Sequence, residues 1–159
     1  METTSRPAVD ADVPIVAALV ELALDEAEAS KGGEMYRRRE ARQEIRESDL
    51  REAIADDAQL VTTGLLDDVV VGFATTHLET LPDGAQIAEV REIYVLPDAR
   101  GVGVGEYMLD GIRAWAVDQG CVRLESSVLP GNRAGKNFFE RAAMVTRLLR
   151  VSTSLEADD

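Results

Sequence analysis

The segment Val95-Leu96-Pro97-Asp98-Ala99-Arg100-Gly101-Val102-Gly103-Val104-Gly105-Glu106 constrains this chain more than any other. An extended pattern runs into glycines at alternate positions, and a helical pattern begins near Gly105. Glycines spaced this closely let the backbone curl until successive N–H groups converge on a helix N-terminus, where the helix dipole also favours an anion. A diphosphate fits such a cradle. The dinucleotide fingerprint G-x-G-x-x-G fails here, because position 106 is Glu and because four residues separate Leu96 from Gly101 where that motif uses a tight turn. The P-loop fails too, since no Gly-Lys-Ser/Thr follows. R-x-x-G-x-G, from Arg100 to Gly105, does fit, although that pattern alone also describes a plain loop with a helix cap.

The elements around the loop follow from periodicity. Arg6 to Val9 is a short extended segment, and Asp10 or Asp12 can cap a helix that tolerates Pro14 in its first turn and presents Ile15, Leu19, Leu22 and Ala23 inward to about residue 29. Lys31-Gly32-Gly33 ends it. Glu34 to Glu47 is mostly charged and reads either as a solvated helix with i,i+4 pairs or as a lid over a site. Ser48-Asp49 starts another helix, which ends near Asp57. The period then becomes two: Gln59–Leu66 and Val69–Glu79 read as strands joined by a tight turn at Asp67-Asp68, and Leu81-Pro82-Asp83-Gly84 turns the chain into a third run, Ala85–Leu96. Beyond the glycines come a helix (105–119), a strand (121–128), a helix (132–142) and a last strand, Val145–Leu155. Tyr107, Met108, Ile112 and Trp115 recur at helical spacing and predict a core face. This order predicts an α/β protein, a mixed sheet with helices on its faces, in one domain over residues 1–155 with an acidic tail at 156–159.

The residues now quoted resemble the GNAT superfamily of acyl-CoA-dependent N-acetyltransferases over nearly the whole chain. Arg6-Pro7-Ala8 with Asp12 and a helix is similar to the usual opening of these proteins. Ile93-Tyr94-Val95-Leu96-Pro97 before Arg100-Gly101-Val102-Gly103-Val104-Gly105 resembles the family's fourth strand and pyrophosphate loop. Asn132-Arg133-Ala134 and Phe138-Phe139-Glu140-Arg141 resemble its Asn-containing loop and last core helix. The resemblance implies a mostly antiparallel sheet splayed between its fourth and fifth strands, with acetyl-CoA or another acyl-CoA as acyl donor in the cleft. It implies a donor-binding set of Ile93, Tyr94 and Val95 on the strand, of Arg100, Gly101, Val102, Gly103, Val104, Gly105 and Glu106 in the loop, and of Asn132 and Phe139 downstream. Main-chain groups of Ile93 and Val95 would pair with the pantetheine arm, and the Val95 N–H would meet the thioester oxygen, where charge develops in acyl transfer. Asn132 would touch the CoA arm, cap the following helix, or do both. Many members carry a tyrosine where this chain has Phe139, so the acid that protonates the CoA thiolate is absent there, and Tyr94, Tyr107 or water must serve. Ala143-Met144 likewise replaces the family's usual Gly-Phe.

Transfer to an amine needs the neutral amine, hence a proton acceptor. Glu89, Glu92 and Glu125 are the carboxylates on the strands concerned. Residues 89 and 92 differ by an odd number, so a regular strand sends them to opposite faces unless a bulge intervenes. The resemblance favours Glu89, which stands where some members carry their base. His77, the only histidine, reads mainly as a strand residue, and Cys121 as an ordinary buried thiol.

Composition narrows the remaining choices. Seventeen basic against thirty acidic residues give a formal charge of -13, the wrong sign for tracking a nucleic-acid backbone; it reads either as a surface that keeps the protein soluble or as one that favours a cationic amine. No apolar run approaches the roughly 20 residues of a membrane span, and no basic-then-apolar leader is visible at the N-terminus. One cysteine excludes an intrachain disulfide and a cysteine zinc site, one histidine with scattered carboxylates implies no metal, and the expected compartment is the cytoplasm. With 17 residues after the last helix, the C-terminal strands are expected to be short or reduced to one, which leaves a sheet edge a second subunit could cover in a homodimer. Two functions fit: an N-acetyltransferase acting by direct attack in a ternary complex, and an acyl-CoA-binding regulatory module that has lost efficient chemistry.

Overall fold

The computed structural model describes residues 1–157. Its order is β1 (Thr3–Pro7), α1 (Val13–Glu28), α2 (Gly33–Arg39), α3 (Glu47–Ala55), β2 (Gln59–Leu66), β3 (Val69–Thr80), β4 (Gln86–Val95), α4 (Val104–Asp118), β5 (Arg123–Ser126) and α5 (Arg133–Arg141). The strands form one five-stranded sheet in sequence order, antiparallel from β1 to β4 and parallel between β4 and β5. Parallel pairing needs a crossover, and α4 with its glycine loop supplies it. The β2–β3 hairpin turns at Asp67 and Asp68, both in the left-handed region (φ 48° and 64°), as a two-residue turn matched to strand twist requires.

Both faces of the sheet are covered. Adjacent residues of a strand point to opposite faces, yet Phe73 and Ala74 on β3 are each fully buried. Phe73, Val61 and Tyr94 face α1 and α3 in one core, while Ala74 and Val90 face Val104, Met108 and Ile112 of α4 in the other. Close approach of α4 depends on Gly64 of β2, where a Cβ would stand 2.5 Å from a Val104 methyl.

Several expectations need correction. The last strand, Val145–Leu155, does not form: the segment has no regular structure, and Val145, Leu149, Val151 and Leu155 are at least 80% exposed. A strand is defined by a partner, and β5 offers no ladder to this segment within the chain. α1 buries Val13, Val16, Leu19, Val20 and Leu24, whereas Ile15 and Leu22 stay more than 40% exposed. The helix is apolar nearly all round, so periodicity alone did not select the stripe. Asp12 does not cap α1 with its side chain. Its carboxylate instead accepts the Val9 N–H at 2.8 Å and a bidentate bond from Arg6 at 2.6 and 3.1 Å. The charged stretch is helical only to Arg39 and irregular from Glu40 to Arg46. On α4 Tyr107 is 52% exposed, not core. Of the expected acidic tail, Asp158 and Asp159 lie outside the described residues.

Candidate functional site

The sheet opens into a fork. β4 and β5 pair only from Ile87↔Arg123 to Val90↔Ser126, and the Ser126 hydroxyl donates to the Val90 carbonyl at 2.9 Å where pairing stops. β4 runs on to Val95 without that neighbour. Leu96 N–H donates to Val71 O of β3 at 2.9 Å. Main-chain groups alternate direction along a strand, so those of Val95 and Ile93 point away from β3, into the gap that β5 leaves. Tyr94 turns the other way, its carbonyl 2.8 Å from where a Cβ on Gly72 would sit. The edge of β4 beyond the fork is thus an open row of backbone groups next to the glycine loop.

Arg100 ties that loop to the strand. Its Nε donates to the Val95 carbonyl at 2.8 Å, its terminal nitrogen reaches Glu26 at 2.9 Å, and the guanidinium lies 5.4 Å from the centre of the Tyr94 ring. The Val95 carbonyl is therefore occupied from within the chain. Gly101 and Gly103 have φ of 84° and 93°, which a residue with a Cβ adopts only under strain, and Gly103 is the residue from which α4 starts. No atom stands within 4 Å of the place a Gly101 Cβ would take, so the mouth of the loop is open. Gly105 serves differently: a Cβ there would come 3.0 Å from the Phe138 ring of α5. Glu106 is exposed and points toward Arg141, 3.7 Å away. The Asn132 side chain caps α5, accepting the Gly135 N–H at 2.8 Å. Phe139 is buried, edge-on to Phe138 with centroids 5.1 Å apart.

On the α1–α3 side of the fork a bulge decides the arrangement of carboxylates. Thr76 pairs with Val90 but Thr75 pairs with Glu92, so Arg91 is an extra residue in β4. Glu89, paired with His77, and Glu92, paired with Thr75, consequently face the same side, where a regular strand would have separated them. Glu92 is clamped: Arg42 donates to its two oxygens at 3.0 and 2.5 Å, and the Thr75 hydroxyl donates at 2.7 Å. Glu125 is held by a bidentate bond from Arg147. Glu89, by contrast, has only the long contacts of His77 Nε2 at 3.8 Å and Arg91 Nε at 3.7 Å, and it is the only one of the three without a bidentate arginine.

A cavity of about 400 Å³ lies beside Glu92, with Tyr36, Glu40, Arg42, Asp49, Glu52 and Glu92 among its walls, together with His77 and Arg91; Glu89 and Glu125 do not line it. Four of those walls are carboxylates. Burial pushes the His77 imidazole below its usual pKa, aided by Arg91 and opposed by Glu89 and Glu79, and its Nδ1 is buried without a partner. Burial pushes the Tyr36 phenol up, reinforced by the Glu92 charge. Sequence reasoning did not single out Tyr36, Arg42 or Thr75. Arg42 is one of five arginines between residues 37 and 46 and carries no local sign of a partner fifty positions away. Among the described residues no cluster of His, Cys, Asp or Glu is placed to hold a metal ion, and no helix is long and apolar enough to cross a membrane.

Residues 16–144 match the family described as the acetyltransferase (GNAT) family. No curated protein sequence matches the chain. Solved structures share the fold at low identity. A tetramutant of the BH1408 protein from Bacillus halodurans is 18% identical, with a TM-score of 0.78 over 95% of this chain and 99% of its own. A ribosomal-protein-alanine N-acetyltransferase from Brucella melitensis biovar Abortus is 17% identical, with a TM-score of 0.71 over 98% and 100%. An aminoglycoside acetyltransferase from an uncultured soil metagenomic sample, in complex with sisomicin, is 12% identical, with a TM-score of 0.72 over 97% of each chain.

Proposed function

Because this chain belongs to the GNAT family of acetyltransferases, we propose that it moves an acetyl group from acetyl-CoA to a primary amine by direct attack in a ternary complex. The observation that carries this reading is the fork between β4 and β5, with an open glycine loop at its outer end and an acidic cavity at its inner one. The chain's own groups fit the donor. N–H groups from Val102 to Glu106 at the start of α4 would hold the diphosphate, with Gly101 and Gly103 keeping the loop free of side chains. The gap-facing amides of Val95 and Ile93 would pair with the pantetheine arm. Running inward from the loop, that arm passes Val95 first and reaches Ile93 nearer the fork, so one of these two amides meets the thioester oxygen as charge develops on it. Asn132 holds the start of α5 beside the loop, and Phe139 lines that side without a proton to give.

The acceptor would enter from the cavity as a cationic amine, attracted by Glu40, Asp49 and Glu52. Glu89 is the carboxylate free to take its proton, with Glu92 and Glu125 committed to arginines. The attacking nitrogen forms its bond to the acyl carbon as the C–S bond breaks. The thiolate then takes a proton from Tyr94, Tyr107 or water, its pKa being about 8.5 by analogy with cysteine. The lone Cys121 agrees with a cytoplasmic setting. Phe139 in place of a hydroxyl-bearing residue favours a second reading, an acyl-CoA-binding module with little or no turnover.

Calorimetric titration of acetyl-CoA into the wild type and into Gly103→Glu/Gly105→Glu, followed by CoA release with a panel of amines, separates these. Micromolar binding abolished in the variant, with turnover on at least one amine, supports the enzyme. Tight binding with no turnover selects the module, and a wild type that binds no acetyl-CoA overturns both.

A further inference from the structure

His77 is the only histidine in the chain, and nothing said so far of the fork and the glycine loop uses it. On β3 it stands directly opposite Gln59 of β2 and Glu89 of β4, and Glu89 stands directly opposite Glu125 of β5. Residues opposite one another across a ladder share a face, so Gln59, His77, Glu89 and Glu125 form one row over four strands, on the side that Phe73 turns toward α1 and α3. Of this row only Gln59 and His77 line the acidic cavity. Glu89 is one place further along, beyond the imidazole, with its Oε1 3.8 Å from His77 Nε2. Past it, Glu125 is taken by Arg147. A cationic amine in the cavity would therefore meet the imidazole before it could meet Glu89. The two ring nitrogens differ: Nδ1 is buried without a partner, and Nε2 is the one close to Glu89. Burial holds the imidazole below its ordinary pKa of 6.5, so at pH 7 it is neutral and has a lone pair to offer.

We propose that His77 carries the acceptor's proton from the cavity to Glu89, an inference that rests on the acyltransferase function proposed above. The ammonium N–H bond breaks as an Nε2–H bond forms, and the electron pair stays on the amine nitrogen, which becomes the nucleophile. The same proton then leaves Nε2 for Glu89 Oε1, and the imidazole is neutral again. Glu89 is 36% exposed, so the proton ends at a carboxylate that water can relieve of it. At 3.8 Å the pair is too far apart for a hydrogen bond in the resting protein. A charged imidazolium is drawn to the carboxylate, and a small rotation of either side chain closes the gap. The first transfer favours an imidazole over a carboxylate, because its ordinary pKa of about 6.5 lies nearer that of a primary ammonium (about 10.4 in lysine) than a glutamate's at about 4.3. The charged groups around His77 are Glu79 on its own strand, Glu89 and Arg91 on β4, and Asp49 and Glu52 of α3 on the cavity wall.

A single histidine makes the relay directly observable. Proton NMR titration of the full chain reads one imidazole, and Glu89→Gln should lower its pKa, because the carboxylate that favours the imidazolium is gone while Glu79, Arg91, Asp49 and Glu52 remain. With any amine that the wild type turns over, His77→Gln should lower kcat/KM at pH 7 by about 100-fold and leave acetyl-CoA affinity and circular dichroism unchanged. It should also erase the acid limb of the pH–rate profile, which the imidazole imposes as it is protonated. His77→Gln/Glu89→Gln should be no slower than the slower single variant, as two groups acting in series require. An imidazole pKa indifferent to Glu89→Gln, a His77→Gln protein that keeps the wild-type rate and acid limb, or losses that multiply in the double variant would each overturn the relay. The titration needs only Glu89→Gln, so it decides even where His77→Gln does not fold. A wild type that turns over no amine overturns the acyltransferase reading and the relay with it, whereas turnover that survives His77→Gln undiminished overturns the relay alone.

Discussion

Glu89 and His77 face each other across β3 and β4 at the fork, and their chemistry is set by what surrounds them. Glu89→Gln removes the one of the three strand carboxylates, Glu89, Glu92 and Glu125, that no bidentate arginine engages. Turnover at neutral pH should fall by about 100-fold or more while acetyl-CoA affinity holds, as expected for a lost general base. The deficit should narrow as pH rises, because more of the amine arrives neutral, and a pH–rate profile of both proteins checks this. His77 has a folded pKa below its ordinary value of 6.5, chiefly through burial. The unfolded chain then binds more protons than the native one just below pH 6.5, so this contribution to stability is complete above that value and is lost as pH falls toward the folded pKa. Denaturant titrations at pH 5 and 7 should therefore show a larger loss in the wild type than in His77→Gln. Glu89, Glu79 and Arg91 are the charged groups around the imidazole, and they remain in both proteins.

At the scale of elements, the irregular stretch between α2 and α3 is anchored to β4 by one ion pair. Arg42 and Glu92 are 23% and 10% exposed, and removing the cation leaves a nearly buried carboxylate with only Thr75 as partner. Arg42→Ala should cost about 2–3 kcal/mol, less than a fully buried pair because the guanidinium is partly wet. For a chain of this size the melting temperature should fall by roughly 5–10 °C. The double variant Arg42→Ala/Glu92→Gln should recover part of that loss, since the stranded charge is gone; calorimetry on both measures the difference. The elements themselves were legible where their determinants are local. Asp67-Asp68 between two Val- and Thr-rich runs announces a hairpin, and the glycines at 101, 103 and 105 announce a loop at a helix start. The bulge at Arg91 was not legible, because an extra residue in β4 is defined only against its partners on β3.

For the whole molecule, charge is the property that acts at a distance. The net charge of -13 and the carboxylates on the cavity wall should draw in a cationic acceptor, and salt should screen that attraction. Raising ionic strength from about 0.05 to 0.5 M should raise KM for a dicationic amine several-fold, and should leave KM for a neutral-side-chain monoamine much less affected. Steady-state kinetics at the two salts reads this directly. The sequence by itself determined the order of elements from β2 to α5, the mixed sheet, the glycine loop and the family. The first three are carried by neighbouring residues through periodicity, turn stereochemistry and the alignment of backbone amides, and the family by the resemblance of its motifs. Tertiary structure alone decided which carboxylate is free, which face of α1 is buried and whether residues 145–155 become a strand. Those outcomes depend on pairings between residues far apart in the chain, Arg42 with Glu92, Arg147 with Glu125, a strand with an edge, and no local pattern records a partner that only folding brings near.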